Sequence, residues 1–322
     1  MNSKVKKILA IALAAIVAVP SAVKAQEVQV ADSAAWAERV APPAVRIGSS
    51  LVINAGLTEV LKSSIHEMRP ERDDNDSWPS RHMSWTTTAA SIVSHELYDK
   101  SPWWVLGSHF VVDAMAMQRM LSNSHFPKDV LGGMLTGLVS TEIGYLVGDL
   151  IFPSSRRPLP SATNDFLPSV DVVTRADFPL CGGVPGGSSR TGVSTGVRAT
   201  LPLSERFGVS ASAGMRSLPI YIADRYVSMV DGVGLSAGVV YYQPLPWRRW
   251  AAEARFMPGF LKNFHGEGLS RPDLSFTLDL SVGASCMLTP ELALGAEAGY
   301  SLWALRSSVS SLSFGVFTRA LF

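Results

Sequence analysis

Hydrophobic and polar positions follow two different periods along this chain, and the period changes near residue 155. Before that point apolar residues recur at helical spacing, and after it they alternate with polar residues as in strands that have one apolar face. Four long helices are predicted near residues 35–68, 80–98, 102–121 and 128–151. The pattern therefore predicts a multidomain α and β chain, with an N-terminal helical bundle followed by an antiparallel β-structure.

Eight strands are predicted in the second half, and the connections between them alternate in length. The predicted strands lie near residues 167–176, 190–202, 206–216, 232–242, 250–257, 273–288, 292–303 and 311–322. The short connections are 204–205, 243–249 and 289–291, and the longer ones are 177–189, 217–231, 258–272 and 304–310. Short periplasmic turns, longer outside loops and an even strand number are typical of an outer-membrane β-barrel. A soluble sandwich or a lipocalin-like cup is the alternative.

The two faces of the predicted strands differ in a way that suits a small membrane barrel. The polar face carries Arg198, Asp279, Glu297 and Arg319, which predicts a polar network in the lumen. An eight-stranded barrel is filled by side chains, so we expect a membrane anchor and not a channel. The last strand ends in Phe322, which resembles the signal that outer-membrane barrels present to the barrel assembly machinery.

The first residues predict export from the cytoplasm. Three early lysines precede the apolar run Ile8–Val19, and a small residue, Ala25, follows at a suitable cleavage position. Loss of residues 1–25 would remove four lysines and no acid, which takes the formal net charge from +1 to −3 and does not suggest nucleic-acid binding. The predicted organisation is a signal peptide (1–25), a helical domain (26–153), a linker (154–166) and an eight-stranded transmembrane β-barrel (167–322). The two cysteines, Cys181 and Cys286, leave their pairing open.

Polar residues interrupt the apolar runs of the predicted helices. None of the helices offers about 20 clean apolar residues, although the stretch 130–151 comes closest. We therefore expect a compact helix bundle in the periplasm and not an inner-membrane protein, which leaves open whether the bundle itself inserts into the outer membrane. Trp103 and Trp104 are expected to pack in its core, with an aromatic anchor at the membrane surface as the alternative. The interrupting residues are Asp113, Gln118, Glu142 and Asp149.

The strongest chemical signal is Arg119, followed after five residues by His125 and after three more by Asp129. Pro127 suits the first turn of a helix, which would place His125 at the positive end of that helix, where an anion is stabilised. A guanidinium can hold two phosphoryl oxygens, and a carboxylate can fix the tautomer of an imidazole and make it a better nucleophile. The spacing therefore indicates phosphate chemistry.

Two upstream segments strengthen this interpretation. Lys62 and Arg69 are seven apart, so we expect them on the same side of one helix that ends at Pro70. Further on, the segment from Pro79 predicts another helix start, with a hydroxyl at Ser80 and an imidazole at His82.

Together these segments resemble the type-2 phosphatidic acid phosphatase family, which includes class A acid phosphatases and vanadium haloperoxidases. The family pattern is K-x6-R-P, P-S-G-H and S-R-x5-H-x3-D, and residues 62–129 keep nine of its eleven fixed positions in order. Arg81 stands in place of the family glycine, and Gln118 replaces the serine before the arginine.

The resemblance implies a role for each matched residue. His125 would attack phosphorus, Asp129 would orient it, and His82 would protonate the leaving oxygen and then activate water. The remaining matched positions would hold the phosphoryl oxygens, and because three of them are cations, no metal and no cofactor is expected. These phosphate-binding positions are Lys62, Arg69, Ser80, Arg81 through its backbone N–H, and Arg119.

The predicted function is that of a metal-independent phosphomonoesterase, or lipid phosphatase, tethered to the outer membrane and facing the periplasm. Lipid A phosphates or phosphatidylglycerol phosphate are the expected substrates, with undecaprenyl pyrophosphate as an alternative. Two other functions remain open: an inactive outer-membrane structural or adhesion protein, and a haloperoxidase that uses vanadate bound in the same place.

Overall fold

The structure is a computed structural model. It describes residues 31–70, 75–122, 124–153, 165–181, 187–223, 225–263, 274–304 and 309–322. The predicted signal peptide and most of the predicted linker lie outside the described residues, as does the side chain of Cys181.

Four helices precede the strands, as the apolar spacing predicts. Helix α1 ends earlier than expected: its last residue is Ser64, so Arg69 is not on a helix with Lys62, and that prediction is wrong. The residue before a proline is sterically disfavoured in the helical conformation, which is consistent with an earlier end to a helix ahead of Pro70. The helices are α1 (Ala31–Ser64), α2 (Arg81–Leu97), α3 (Pro102–Leu121) and α4 (Pro127–Ile151).

The chain divides into two compact units that do not follow the change of period. The first contains the residues up to Glu96 together with the segment that begins at Asp129. The second contains the segment Leu97–Lys128 together with the strands. Helix α3 therefore packs with the β-structure, although it is one of four helices in sequence.

Within the first unit, glycines of helix α4 allow other helices to approach closely. A Cβ atom on Gly133 would lie 2.5 Å from the carbonyl oxygen of Ser80, and one on Gly137 would lie 2.5 Å from that of Ser84. Because these contacts are to backbone atoms of helix α2 and of the residue before it, they place the start of α2 directly against the first turns of α4.

The strands form a closed antiparallel barrel with eight long strands, which confirms the predicted fold class. The sheet order is β2-β4-β3-β1-β9-β8-β7-β6-β5, and pairing of β4 with β5 closes the ring. The three-residue strand β2 extends the edge of β4 beyond β3. The strands are β1 (Ser169–Cys181), β2 (Gly187–Ser189), β3 (Gly192–Pro202), β4 (Phe207–Ile222), β5 (Arg225–Pro244), β6 (Trp250–Asn263), β7 (Leu274–Thr289), β8 (Leu292–Ala304) and β9 (Val309–Leu321).

The predicted long loop at 217–231 is wrong. Strands β4 and β5 pair as far as Ile222 and Arg225, so only two residues separate them. Ala223, in that turn, has a φ of 48°, in the left-handed region that tight turns often need. This turn lies at the end of the barrel that also carries the connections 182–191, 264–273 and 305–308. We call that end of the barrel the long-connection end. The short-connection end carries 203–206, 245–249 and 290–291 together with both ends of the barrel chain.

Ion pairs cross the middle of the lumen, as the polar face of the strands predicts. Arg319 on β9 binds Asp171 on β1 at 2.7 Å and Glu253 on β6 at 2.5 Å, and Arg198 on β3 binds Asp171 at 2.8 Å and Glu297 on β8 at 2.9 Å. Strands β6 and β9 are not neighbours, so these pairs span the interior of the barrel. Charges buried in this way are stabilised by their partners.

Apolar side chains fill the lumen at the long-connection end. One cluster there contains Leu218, Ile220, Leu261, Trp303 and Val309, all almost fully buried. An interior occupied by packed side chains favours the predicted anchor over a channel.

The outer wall of the barrel follows from the alternation of side chains. Asp171 and Arg319 point into the lumen, so the adjacent Val172 and Ala320 point outward. Most outward positions carry exposed apolar side chains, such as Val316. Val172 and Ala320 are instead buried, because Val105 and Leu106 of helix α3 pack on them.

Candidate active site

Asp129 lies in the first turn of helix α4 and is fully buried. Its Oδ2 accepts a hydrogen bond of 2.5 Å from the hydroxyl of Ser77, and its backbone oxygen accepts one of 2.9 Å from the backbone N–H of Ser80. Pro127 begins the helix, where its missing N–H costs nothing. A carboxylate in this turn is stabilised by the positive end of the helix, so the position suits a charged Asp129.

Ser80 precedes helix α2 and is held by backbone contacts on both sides. Its carbonyl accepts from the N–H of Ser84 at 3.0 Å, and its own N–H donates to Asp129. The hydroxyl of Ser80 is buried and has no hydrogen-bond partner among the described residues. A buried hydroxyl without a partner costs stability, so it is a fitting donor for an incoming phosphoryl oxygen.

Lys62 lies in the last turn of helix α1, and its side chain is buried. Its ammonium donates to the backbone oxygen of Asp76 at 2.7 Å and to the carboxylate of the same residue at 3.1 Å. An ammonium has three hydrogens, so two contacts to Asp76 still leave a donor for a ligand.

Arg69 follows helix α1 and is half-buried. The strand-like bridge between Glu67 and Asp76, with the N–H of Ser77 donating to the oxygen of Glu67 at 3.0 Å, ties this segment to the one that precedes helix α2. Arg69 is therefore placed by an irregular segment and not by the helix that sequence spacing predicts.

The two residues that open helix α2 are both exposed. Arg81 donates to Glu59 of helix α1 at 2.7 Å, and both side chains of that ion pair are about half exposed. The ion pair holds the guanidinium that replaces the family glycine. His82 lies next to it on the same turn.

Arg119 and His125 belong to the second unit. Arg119 is in the last turn of helix α3, and its Nε donates to the side chain of Gln118 at 2.7 Å. The N–H of Ser124 donates to the backbone oxygen of Arg119 at 3.2 Å, which shapes the segment that leads to the buried His125. Convergence of these two side chains with the first-unit residues on one phosphate remains a prediction.

Two residues of this region were not identified from the sequence. Ser77 orients the carboxylate of Asp129, and Asp76 binds Lys62. Both immediately precede the segment Trp78–His82, and a polar pair ahead of a helix start is too common to have indicated these roles.

The residues grouped in the first unit can do three things chemically. They supply a buried carboxylate that can polarise an imidazole, a cation and a hydroxyl that can hold phosphoryl oxygens, and an exposed imidazole that can exchange protons with a leaving group or water.

Comparison with known proteins agrees with the three motifs. Residues 43–150 match the model of the PAP2 superfamily. A lipid A 1-phosphatase of Porphyromonas gingivalis is 24% identical over 284 residues, an alignment that covers 78% of this chain and 62% of that protein. This chain therefore spans less than two thirds of the length of that relative, and the similarity extends beyond residues 43–150.

Solved outer-membrane barrels are similar to the strand region. OprG from Pseudomonas aeruginosa is 10% identical with a TM-score of 0.37, and covers 50% of this chain and 98% of its own. Neisserial surface protein A is 17% identical with a TM-score of 0.34, and covers 48% of this chain and 97% of its own.

The motifs and the matched model lead to one conclusion about the helical part of the chain: residues 43–150 are a PAP2 superfamily domain.

Proposed function

We propose that this protein is a metal-independent phosphomonoesterase that hydrolyses phosphorylated lipids of the outer membrane through a phosphohistidine intermediate. The observation that carries the proposal is Asp129, fully buried in the first turn of helix α4, hydrogen-bonded to Ser77, and four residues after His125. The PAP2 match and the similarity to a lipid A 1-phosphatase support the same reaction class.

In the first step, an imidazole nitrogen of His125 attacks phosphorus. The new P–N bond forms as the P–O bond to the lipid breaks, and His82 gives its proton to the departing oxygen. Asp129 stabilises the positive charge that develops on the His125 ring. The cations Lys62 and Arg119 hold the phosphoryl oxygens, whose charge shifts during the transfer.

In the second step, the now neutral His82 takes a proton from a water molecule. The water oxygen attacks phosphorus, the P–N bond breaks, and inorganic phosphate leaves. His125 and His82 return to their starting protonation states, so the cycle needs no metal and no redox partner.

The substrate class follows from the barrel as well as from the relative. A closed barrel with an apolar outer wall satisfies its backbone hydrogen bonds within a bilayer and holds the protein among lipids. Lipid A phosphates and phosphatidylglycerol phosphate are therefore the proposed substrates, with undecaprenyl pyrophosphate as an alternative. The barrel assembly machinery is the proposed partner for insertion, through the last strand and Phe322.

Phosphate release by purified protein tests the reaction. Wild-type protein, His125→Ala and His66→Ala are reconstituted in detergent–lipid micelles with each candidate substrate. His66 lies within the first motif and has no implied role, so it is a matched control. We expect His125→Ala to lose activity by a factor on the order of 10⁴ or more and His66→Ala to stay within about twofold of wild type.

The intermediate has its own test. With a phosphate-labelled aryl ester, whose leaving group departs without protonation, we expect acid-labile, base-stable label on His125. We expect more of it in His82→Ala, because only hydrolysis of the intermediate then depends on His82. Label on another residue would overturn the mechanism. A folded barrel that releases no phosphate from any substrate would overturn the enzyme and leave the structural or adhesion role.

A further inference from the structure

Helix α3 is attached to the outside of the barrel. Its Val105 and Leu106 pack on Val172, Leu292 and Ala320, three outward-facing residues of strands β1, β8 and β9. The outward wall of a membrane barrel faces lipid, so a helix that covers part of this wall occupies the place of lipid.

A polar contact fixes the same helix halfway along the wall. Asp113, in the middle of α3 and buried, accepts a hydrogen bond of 2.5 Å from the hydroxyl of Thr174 on strand β1. Thr174 lies two residues after Val172 on the same strand, so its side chain also points outward. Polar groups at membrane depth are found where they face protein and are hydrogen-bonded, and Oδ1 of Asp113 meets both conditions. Oδ2 of Asp113 is buried without a hydrogen-bond partner among the described residues.

The two ends of α3 reach opposite ends of the barrel. Near its start, the ring of Trp103 lies 5.3 Å from that of Phe322, at the short-connection end. Just after its end, the ring of Phe126 lies 5.0 Å from that of Tyr226 and 6.3 Å from that of Tyr221, beside the turn between β4 and β5 at the long-connection end. A helix of 20 residues is about 30 Å long, close to the thickness of the hydrocarbon core.

The side of α3 that does not contact the barrel is exposed and, apart from Gln118, apolar. It continues the apolar outer wall of the strands, and a continuous apolar surface on both is the pattern expected of lipid contact. Trp103 and Trp104, near its start, are both more than half exposed, so their predicted core packing is wrong. Their place suits a membrane interface. The exposed large side chains of α3 are Trp103, Trp104, Phe110, Val111 and Leu121.

The first unit, taken by itself, has membrane-suited surfaces too. Helix α4 and the part of α1 from Arg39 are each long and apolar enough to cross a membrane. Polar residues that argued against a membrane are paired: Asp149 accepts from Arg46 at 2.6 Å, and Glu142 contacts His95 at 2.8 Å. One face of α4 carries an exposed apolar stripe at helical spacing, formed by Leu135, Val139, Ile143, Leu146 and Leu150.

We propose that helix α3 crosses the outer membrane alongside the barrel and brings Arg119 and His125 to the level of the outer leaflet. In barrels of this class the short turns face the periplasm and the longer connections face outside. The substrates would then be phosphorylated lipids of the cell-surface leaflet. This conclusion on substrate rests on the proposed function, whereas the proposal that α3 crosses the outer membrane does not. The outer-leaflet position of Arg119 and His125 differs from the periplasmic placement that the sequence predicts.

Cysteine accessibility in intact cells tests the course of α3. In a Cys181→Ser, Cys286→Ser background, single cysteines replace three exposed residues: Ser122 after the end of α3, Arg225 at the long-connection end and Glu205 in a short connection. The probe is a maleimide on a polyethylene glycol too large to pass porins. We expect Ser122→Cys and Arg225→Cys to react in intact cells, and Glu205→Cys to react only after the outer membrane is permeabilised.

The proposal is overturned if Ser122→Cys reacts only after permeabilisation, or if Glu205→Cys and Arg225→Cys exchange their behaviour. Failure of the proposed function gives a different result. If Ser122→Cys reacts in intact cells but purified protein releases no lipid phosphate, the reaction fails and the course of α3 stands. If purified protein is active but Ser122→Cys is protected, the reaction stands and the outer-leaflet placement fails.

Discussion

Each compact unit contains a buried helical carboxylate, and the two have similar immediate surroundings. Asp129 accepts from the hydroxyl of Ser77 and Asp113 from that of Thr174, both at 2.5 Å. Asp129 is in the first turn of its helix, where the backbone stabilises a negative charge, and Asp113 is in the middle of its helix, where it does not. Burial and a hydroxyl partner therefore do not distinguish the proposed catalytic carboxylate, Asp129, from Asp113, which joins a helix to a strand. The two differ in their position in the helix and in the neighbouring motif.

The largest expected difference is in catalysis. We expect Asp129→Asn to lower kcat by a factor on the order of 10³–10⁴, because an amide cannot stabilise the charge that develops on His125. The matched variant Asp113→Asn keeps an oxygen that can accept from Thr174, and should leave kcat nearly unchanged. Initial rates of phosphate release measure both. Equal losses in the two variants would show that the carboxylates do not differ as proposed.

A smaller effect is expected at the donor to Asp129. Ser77→Ala removes a hydrogen bond to a charged group, worth about 1.5–3 kcal/mol. We expect kcat to fall roughly 10- to 100-fold as the carboxylate loses its orientation, and Ser77→Thr to restore most of it. An unchanged kcat in Ser77→Ala would show that this hydroxyl does not position Asp129.

The next comparison is between the covered and the bare parts of the outer wall. Ala320 is fully buried beneath α3, and Val316, on the same strand and face, is exposed. Ala320→Phe should lower the free energy of unfolding by about 1–3 kcal/mol through overpacking, whereas Val316→Phe should change it by less than about 0.5 kcal/mol. Denaturant titration in lipid vesicles measures both. Equal effects would mean that α3 does not cover this wall in the bilayer.

The smallest expected effect is at the partner of Asp113. Thr174→Val removes the hydroxyl but keeps the shape of the side chain, and should destabilise the docking of α3 by about 1 kcal/mol. Thr174→Ser keeps the donor and should lie closer to wild type. Protease cleavage near the ends of α3, compared with the unfolding of the barrel, follows this change. Phosphate release should remain, because Asp113 has no proposed part in the reaction.

Features with a regular local period could be predicted from the sequence. Alternation assigns Asp279 and Glu297 to the lumen, where each binds an arginine, and helical spacing gives α3 its observed bounds. The third site motif also lies where short-range rules place it: Pro127 begins a helix, and Asp129 follows in its first turn. The first motif does not, because Arg69 lies beyond the end of the helix that carries Lys62.

Features that depend on distant contacts could not be predicted. Residues 217–231 contain turn-forming residues such as Pro219 and Asp231, but pairing within a closed barrel keeps both in strands. Likewise, nothing local shows that Ser77 reaches Asp129, or that Asp113 meets a barrel threonine. The sequence of α3 does not show which surface surrounds its tryptophans, so it predicts core packing where the structure has exposed side chains.

The position of α3 also bears on the order in which the protein assembles. Helix α3 precedes every strand in the chain, yet the wall it covers includes β1 and β9, the first and last long strands, whose pairing joins the two ends of the barrel sheet. Val172 and Thr174 are on β1, but Leu292 and Ala320 are on β8 and β9, so the surface that α3 covers is complete only when the final strand is in place. A helix that contacts both the first and the last strand stabilises their pairing against opening.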